Sequence, residues 1–299
     1  MNRQRQVALR GSRTRLPLGR DWTLLVLSAF AMLSVRLPFL PPRLEDIDSI
    51  NFDLGIHDFN PIAHQPHPPG YPIFILLGRI SHAFLTSHAG ALSLVSALAS
   101  SLSLIPLYFL MREFTSRSGA ALACIMTLAN PLIWLNSVRP MSDMTGFFAA
   151  LAGQCLLLKG TRGLDRGSPH DRTLWYIGVV VAGLSIGVRL QALFLVGPIL
   201  LYGWIRHRQV RMTTVCWLVA AVSAWLIPLV WLSGGPAQYL LSFSRLVRDA
   251  LPAEPLVVQF TLRRAVIALL DVLVSPWGTL WLAGPVLVLA VGRSPVAAL

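Results

Sequence analysis

Long apolar runs separated by short, arginine-bearing gaps set the rhythm of this chain. Crossing a bilayer takes roughly 20 apolar residues. Runs near that length fall at about 22–40, 89–111, 118–135, 144–159, 174–188, 190–205, 213–232 and 264–292. The pattern predicts an all-α integral membrane protein, a polytopic helical bundle of about eight transmembrane helices. The runs 174–188 and 190–205 read as a tight hairpin broken near Gly187-Val188-Arg189, and Pro276 kinks or divides the last run.

One segment breaks the rhythm. Residues 64–72 read HQPHPPGYP, and a stretch so rich in proline does not propagate a helix. Before it lies EDIDSINFDLGI (45–56), where Asp46 with Ser49 and Ile50 with Leu54 suit a short helix. That helix presents Asp46 and Asp48 at its N-terminal end. After it comes YPIFILLGRISHAFL, with Pro72 suited to a first helical turn and Arg79 and His82 on the polar side. Two interfacial helices are therefore expected in the first outer loop, joined by a stiff turn that brings His64 and His67 near the acids.

Charge gives the expected topology. The chain carries a net charge of +12, and all but one of its 25 basic residues are arginine. They gather in alternate gaps: the tail 1–21, then Arg112 and Arg117, then Lys159, Arg162, Arg166 and Arg172, then Arg206, Arg208 and Arg211. Alternation of this kind follows the positive-inside rule with a cytoplasmic N-terminus. It also argues against nucleic acid as a partner, since no single basic face is built. The opposite side then holds 41–88, 136–143, the hairpin tip near 189, and 233–263. Glu45, Asp46, Asp48, Asp53 and Asp58, five of the 13 acids, crowd into the first of these. The domain reading is a basic cytoplasmic tail (1–21) followed by one transmembrane domain (22–299).

At 13% charged and 55% hydrophobic residues, the chain is far from the roughly 25% charge of soluble domains. The first apolar run lacks a small-residue cleavage site and reads as a retained anchor. Cys124, Cys155 and Cys216 all lie within apolar runs without metal-ligand spacing and read as small buried residues.

The stretches DSINF (48–52), DFNP (58–61) and HQPHPPGYPIFILLGRI (64–80) resemble the first periplasmic loop of bacterial GT-C glycosyltransferases, the protein O-mannosyltransferase-like and aminoarabinose-transferase-like enzymes. RPMSDMTGFF (139–148) is similar to their second outer loop, and GVRLQ (187–191) to the place where a basic residue holds the carrier phosphate. The resemblance covers residues 20–210. It implies a GT-C-like enzyme of the bacterial inner membrane whose active site faces the periplasm. Such an enzyme takes a sugar from a polyprenyl-phosphate carrier, with inversion and with an acid of the first loop as general base. By position that acid is Asp48 or Asp46. Family members commonly run longer, so the chain is expected to be either a C-terminal truncation or a short member.

Glycosyl transfer from a lipid phosphate needs a base, a cation for the leaving phosphate and a pocket that excludes water. Asp48, then Asp46, are the candidate bases. Arg189 is the candidate phosphate ligand, through paired guanidinium bonds, or else snorkels to the interface. Arg139 is a second phosphate candidate, and Gln191 supplies a further hydrogen bond. His64, His67 and Tyr71 are substrate-binding candidates. The two histidines could bind phosphate, orient the acid or contact sugar, or join Asp46 and Asp48 around a divalent metal. No cofactor is required, because arginine already partners the phosphate. Asp143 either positions acceptor or sugar, or simply favours a helix start. Arg245, Arg248, Arg263 and Arg264 reach carrier phosphate or lipid headgroups. The expected partners are the lipid-linked donor, membrane lipids and an acceptor that is protein, lipid or polysaccharide. A transporter or flippase of lipid-linked sugars is the main alternative, and a non-catalytic membrane scaffold the third. Transporters concentrate ionisable groups at the midplane, whereas here the acids sit in an outer loop.

Overall fold

A computed structural model describes residues 18–44, 46–167, 169–250 and 261–274. Glu45, most of the basic tail, part of the later outer loop and the second half of the run 264–292 lie outside the described residues, as does the side chain of Asp271.

The described chain is helical, without strands. Its helices are α1 (Leu18–Arg36), α2 (Ile47–His57), α3 (Pro72–His82), α4 (His88–Leu102), α5 (Leu104–Met111), α6 (Arg117–Leu128) and α7 (Pro131–Val138). They continue with α8 (Asp143–Leu164), α9 (Pro169–Val188), α10 (Ala192–Arg206), α11 (Arg211–Leu232), α12 (Pro236–Ala250) and α13 (Leu262–Val274).

Three stretches among the described residues are long and apolar enough to cross a membrane: Asp21–Phe39, His88–Met111 and Arg208–Leu232. The eight expected spans are therefore not all matched by helices of spanning length, for reasons particular to each. The run 118–135 bends by 61° between α6 and α7, where the Asn130 side chain caps a new helix at Leu132 and Pro131 occupies its first turn. The run 144–159 belongs to the 22-residue α8, which carries Asp143, Lys159 and Arg162 as well as its apolar residues. The hairpin appears as expected, with α9 ending at Val188 and α10 starting at Ala192, but both arms are short.

Helix α8 is the hub, packed by α4, α5, α9 and α10. Its approach to α9 is backbone-close. A Cβ on Gly160 would lie 2.5 Å from the Trp175 Cα, and one on Gly178 would lie 2.8 Å from the Leu157 nitrogen. Small residues at such crossings let helices meet without a hydrophobic driving force between them. A second core ties α2, the proline loop, α3 and α4 through Phe52, Ile56, Tyr71, Phe74, Ile75, Leu92 and Val95.

Polar contacts separate into two ends of the bundle. At one, Asp21 pairs with Arg117, Glu113 with Arg162 and Asp165 with Arg206. At the other, Arg139 pairs with Asp46, Arg189 with Asp143 and His88 with Asp53. The basic gaps and the acid-rich loop thus occupy opposite ends.

Candidate functional site

The site is built at the acidic end, beginning with the first turn of α2. Asp46 is the N-cap: its Oδ1 accepts from the Ser49 amide at 2.9 Å, while the Ser49 hydroxyl oxygen accepts from the Asp46 amide at 3.3 Å. This reciprocal pair satisfies donors that a helix start otherwise leaves open. The remaining carboxylate oxygen of Asp46 accepts from Arg139 Nη2 at 2.9 Å. Asp46 is therefore committed on both oxygens. Asp48 sits in the same turn and has a 45% exposed side chain; among the described residues its one ion-pair neighbour is His67, whose Nδ1 lies 3.5 Å from its Oδ1.

The proline loop places that histidine. Residues His64 and Tyr71 both take left-handed backbone angles, with φ of 60° and 44°. Pro72 then opens α3 at once. His67 Nε2 lies 3.2 Å from the Tyr71 hydroxyl, and Tyr71 is wedged edge-on against Phe52 at 5.1 Å between ring centres. From below, Arg79 of α3 donates to the carbonyls of Ile56 and Gly55 at 2.7 and 3.1 Å, closing the C-terminal end of α2. From above, the Tyr239 hydroxyl of α12 donates to the Pro69 carbonyl at 3.2 Å.

Burial lowers the His67 pKa from 6.5; Asp48 opposes the shift, while His64 and Arg189 reinforce it. The ring is thus held neutral in neutral water. Burial also raises the Tyr71 pKa, against the pull of Arg189 and with the help of Asp48 and Asp143. Tyr71 therefore stays a protonated donor. Asp48, Asp143 and Arg189 thus all act electrostatically on Tyr71, although they come from three separate parts of the chain.

Arg189 stands in the turn between α9 and α10. Its Nη1 meets Asp143 Oδ2 at 3.0 Å and donates to the Ser142 hydroxyl at 3.0 Å. Among the described residues its Nε and Nη2 have no hydrogen-bond acceptor, so one edge of the guanidinium fork is left open. Its stem lies on α8, where a Cβ on Gly146 would come 3.0 Å from the Arg189 Cβ. Arg189, Tyr71 and Tyr239 supply polar groups to a cavity of about 240 Å³ otherwise walled mainly by apolar groups, among them Ile186, Trp225, Leu240 and Phe243.

The structure thus brings together Asp48, His67, Tyr71, Asp143 and Arg189. Asp48, His67 and Asp143 do not line the cavity themselves; they stand behind Tyr71 and Arg189. Arg139 is engaged with Asp46. His64 and Gln191 are exposed, and the Gln191 side chain bonds to no described residue. Gly146, Tyr239 and the bond from Arg189 to Ser142 escaped the sequence reading, in which Ser142 is only a candidate helix start. A hydroxyl beside an acid and a glycine in a helix carry no signal until the arginine they serve is seen.

No curated protein and no solved structure matches the chain. Asp46 and Asp48 lie ahead of the region that a family profile recognises. That region, residues 63–214, is half of the chain and holds the proline loop, Arg139, Asp143 and Arg189; it matches the protein O-mannosyl-transferase TMEM260 N-terminal domain, and the chain belongs to that family.

Proposed function

We propose that the protein is a membrane glycosyltransferase that moves a mannosyl-type sugar from a polyprenyl-phosphate carrier to a protein hydroxyl at the acidic end of the bundle. The observation that carries this reading is the half-open Arg189 fork at the mouth of an apolar cavity, with Asp48 close behind Tyr71. A prenyl phosphate has this same duality, an apolar chain ending in an anion. The basic end is then cytoplasmic and the site periplasmic, in a bacterial inner membrane.

In the reaction, the acceptor oxygen attacks the anomeric carbon while the bond from that carbon to the phosphate oxygen breaks. Asp48 takes the hydroxyl proton. The prenyl phosphate leaves with the bonding pair, and the open edge of Arg189 stabilises the growing charge through two parallel hydrogen bonds. Asp143 and Ser142 hold the other edge, so the fork is aimed before substrate arrives. Neutral His67 and protonated Tyr71 supply hydrogen bonds without adding a competing charge. Direct displacement inverts the anomeric centre. The chemistry needs no metal, because a fixed cation already faces the leaving group.

The test is transfer in proteoliposomes from polyprenyl-phosphate mannose to a serine/threonine peptide, with a nucleotide-linked mannose as the alternative donor. Product from the lipid donor alone is expected. Transfer from the nucleotide sugar alone, or lipid movement across the bilayer without transfer, overturns the reading.

A further inference from the structure

Behind the candidate site, on another face of the same corner, three imidazoles and a carboxylate converge. His57 ends α2, His82 ends α3 and His88 begins α4. The ring centres of His57 and His88, and of His82 and His88, are each 4.6 Å apart, and those of His57 and His82 are 5.7 Å apart. One potential ligand nitrogen from each ring can be chosen so that all lie within 4.8 Å of one another. Asp53, with only 14% of its side chain exposed, brings Oδ1 and Oδ2 to 2.9 and 3.0 Å from His88 Nδ1.

Hydrogen bonding among these groups does not account for the arrangement. His88 Nδ1 faces Asp53 on one side and His57 Nε2, at 3.4 Å, on the other. A neutral imidazole nitrogen holds at most one proton, so it cannot serve both neighbours. His82 Nδ1 is buried and has no hydrogen-bond partner among the described residues, and Asp53 Oδ1, although 2.9 Å from His88 Nδ1, is not aligned for a hydrogen bond to it. A cation resolves that conflict.

We infer that His57, His82 and His88 form a site for a first-row transition ion of the zinc class, with the Asp53 carboxylate adjoining His88. Zinc binds nitrogen and carboxylate oxygen at roughly 2.0–2.2 Å in a tetrahedron, whose edges are then roughly 3.3–3.6 Å. The His57 Nε2–His88 Nδ1 separation of 3.4 Å already has that length, and one nitrogen from each of the three rings lies within 4.8 Å of the others. Three imidazoles suit zinc better than magnesium or calcium, which prefer all-oxygen shells. They fill three corners of the tetrahedron and leave the fourth to a solvent oxygen. The site stands apart from the proposed chemistry. Asp53 follows Asp48 by five residues, a rotation of roughly 140° around the helix. The ion pins the ends of α2 and α3 to the start of α4, and so holds the helix that presents Asp48.

The test uses the full-length protein in detergent, stripped with chelator, reloaded with zinc chloride alone and analysed by elemental mass spectrometry. About one zinc per chain is expected, with near-complete loss in His57→Ala, His82→Ala and His88→Ala and full retention in His64→Ala. Asp53→Asn should weaken binding at least about tenfold. Cobalt loading of the unaltered protein gives a second readout that requires no variant to fold: intense tetrahedral d–d bands, removed by one equivalent of zinc. Zinc content that is negligible in the unaltered protein, or unchanged in the three histidine variants, overturns the assignment. So does a weak octahedral cobalt spectrum. None of these readouts depends on whether the protein transfers sugar.

Discussion

Asp48 and Asp46 stand two residues apart, yet the structure gives them separable fates on mutation. Asp48→Asn removes the proposed base and little else. The cap of α2 belongs to Asp46, and the side chain of Asp48 is half exposed with a single ion-pair neighbour among the described residues. What stability it contributes is the attraction of a first-turn carboxylate for the helix start, about 0.3–1 kcal/mol. A positioned base is worth roughly 10²–10⁴ in rate, or roughly 2.7–5.4 kcal/mol of barrier. Asp46 should behave in the opposite way. Asp46→Asn keeps a capping oxygen and loses only a partly exposed ion pair with Arg139, about 0.2–1 kcal/mol. Asp46→Ala loses the cap as well, about 0.5–2 kcal/mol. The assay pairs the initial rate of transfer from saturating lipid donor in proteoliposomes with a melt followed by tryptophan fluorescence. Asp48→Asn should be nearly inactive and melt like the parent, while Asp46→Ala should melt earlier yet keep most of its turnover. A fully active Asp48→Asn protein, or a dead but stable Asp46→Asn protein, would refute the reasoning.

Three further outcomes follow from the geometry. Arg189→Gln should cut turnover by about 10²-fold or more, and Arg189→Lys should not restore it, because a point charge cannot present two parallel donors; equal turnover in Lys and Arg proteins would remove the fork from the mechanism. Gly146→Ala places a methyl 3.0 Å from the Arg189 Cβ, and should raise the KM for lipid donor while costing about 1–3 kcal/mol of stability, read by donor titration and melting. The third concerns acid. The His67 pKa is lower in the folded chain than its unfolded 6.5, so between the two values the unfolded chain binds more protons. Its contribution to stability is therefore complete above pH 6.5 and is lost as pH falls through the folded value; melts from neutral to about pH 5 should decline less steeply in His67→Gln.

Much of the acidic corner was legible because its signals are local. Asp46 with Ser49 marked a helix start, Pro72 marked another, and Gly187-Val188-Arg189 marked a turn; each depends on residues within four positions. What was not legible depends on partners far along the chain. Nothing near Asp46 announces that Arg139 occupies it, and that contact is what separates the two acids. The apolar run 144–159 and the glycine, proline and charge of 160–172 point to a loop after residue 159, whereas α8 runs on to Leu164. In the structure Lys159 lies 4.3 Å over the Phe109 ring and Arg162 pairs with Glu113, so both charges are accommodated on a continuing helix. His57, His82 and His88 have no motif spacing, and only the packing of three helix ends brings them together.

The bonds from Arg79 to the last carbonyls of α2 have a mechanical consequence. A helix end solvated by water can swing on its own; one gripped by the neighbouring helix drags that neighbour along. Asp48 and Tyr71 ride on the two partners of this grip. A displacement of α3 is therefore passed on to α2, and the Asp48 carboxylate and the Tyr71 phenol are coupled through it.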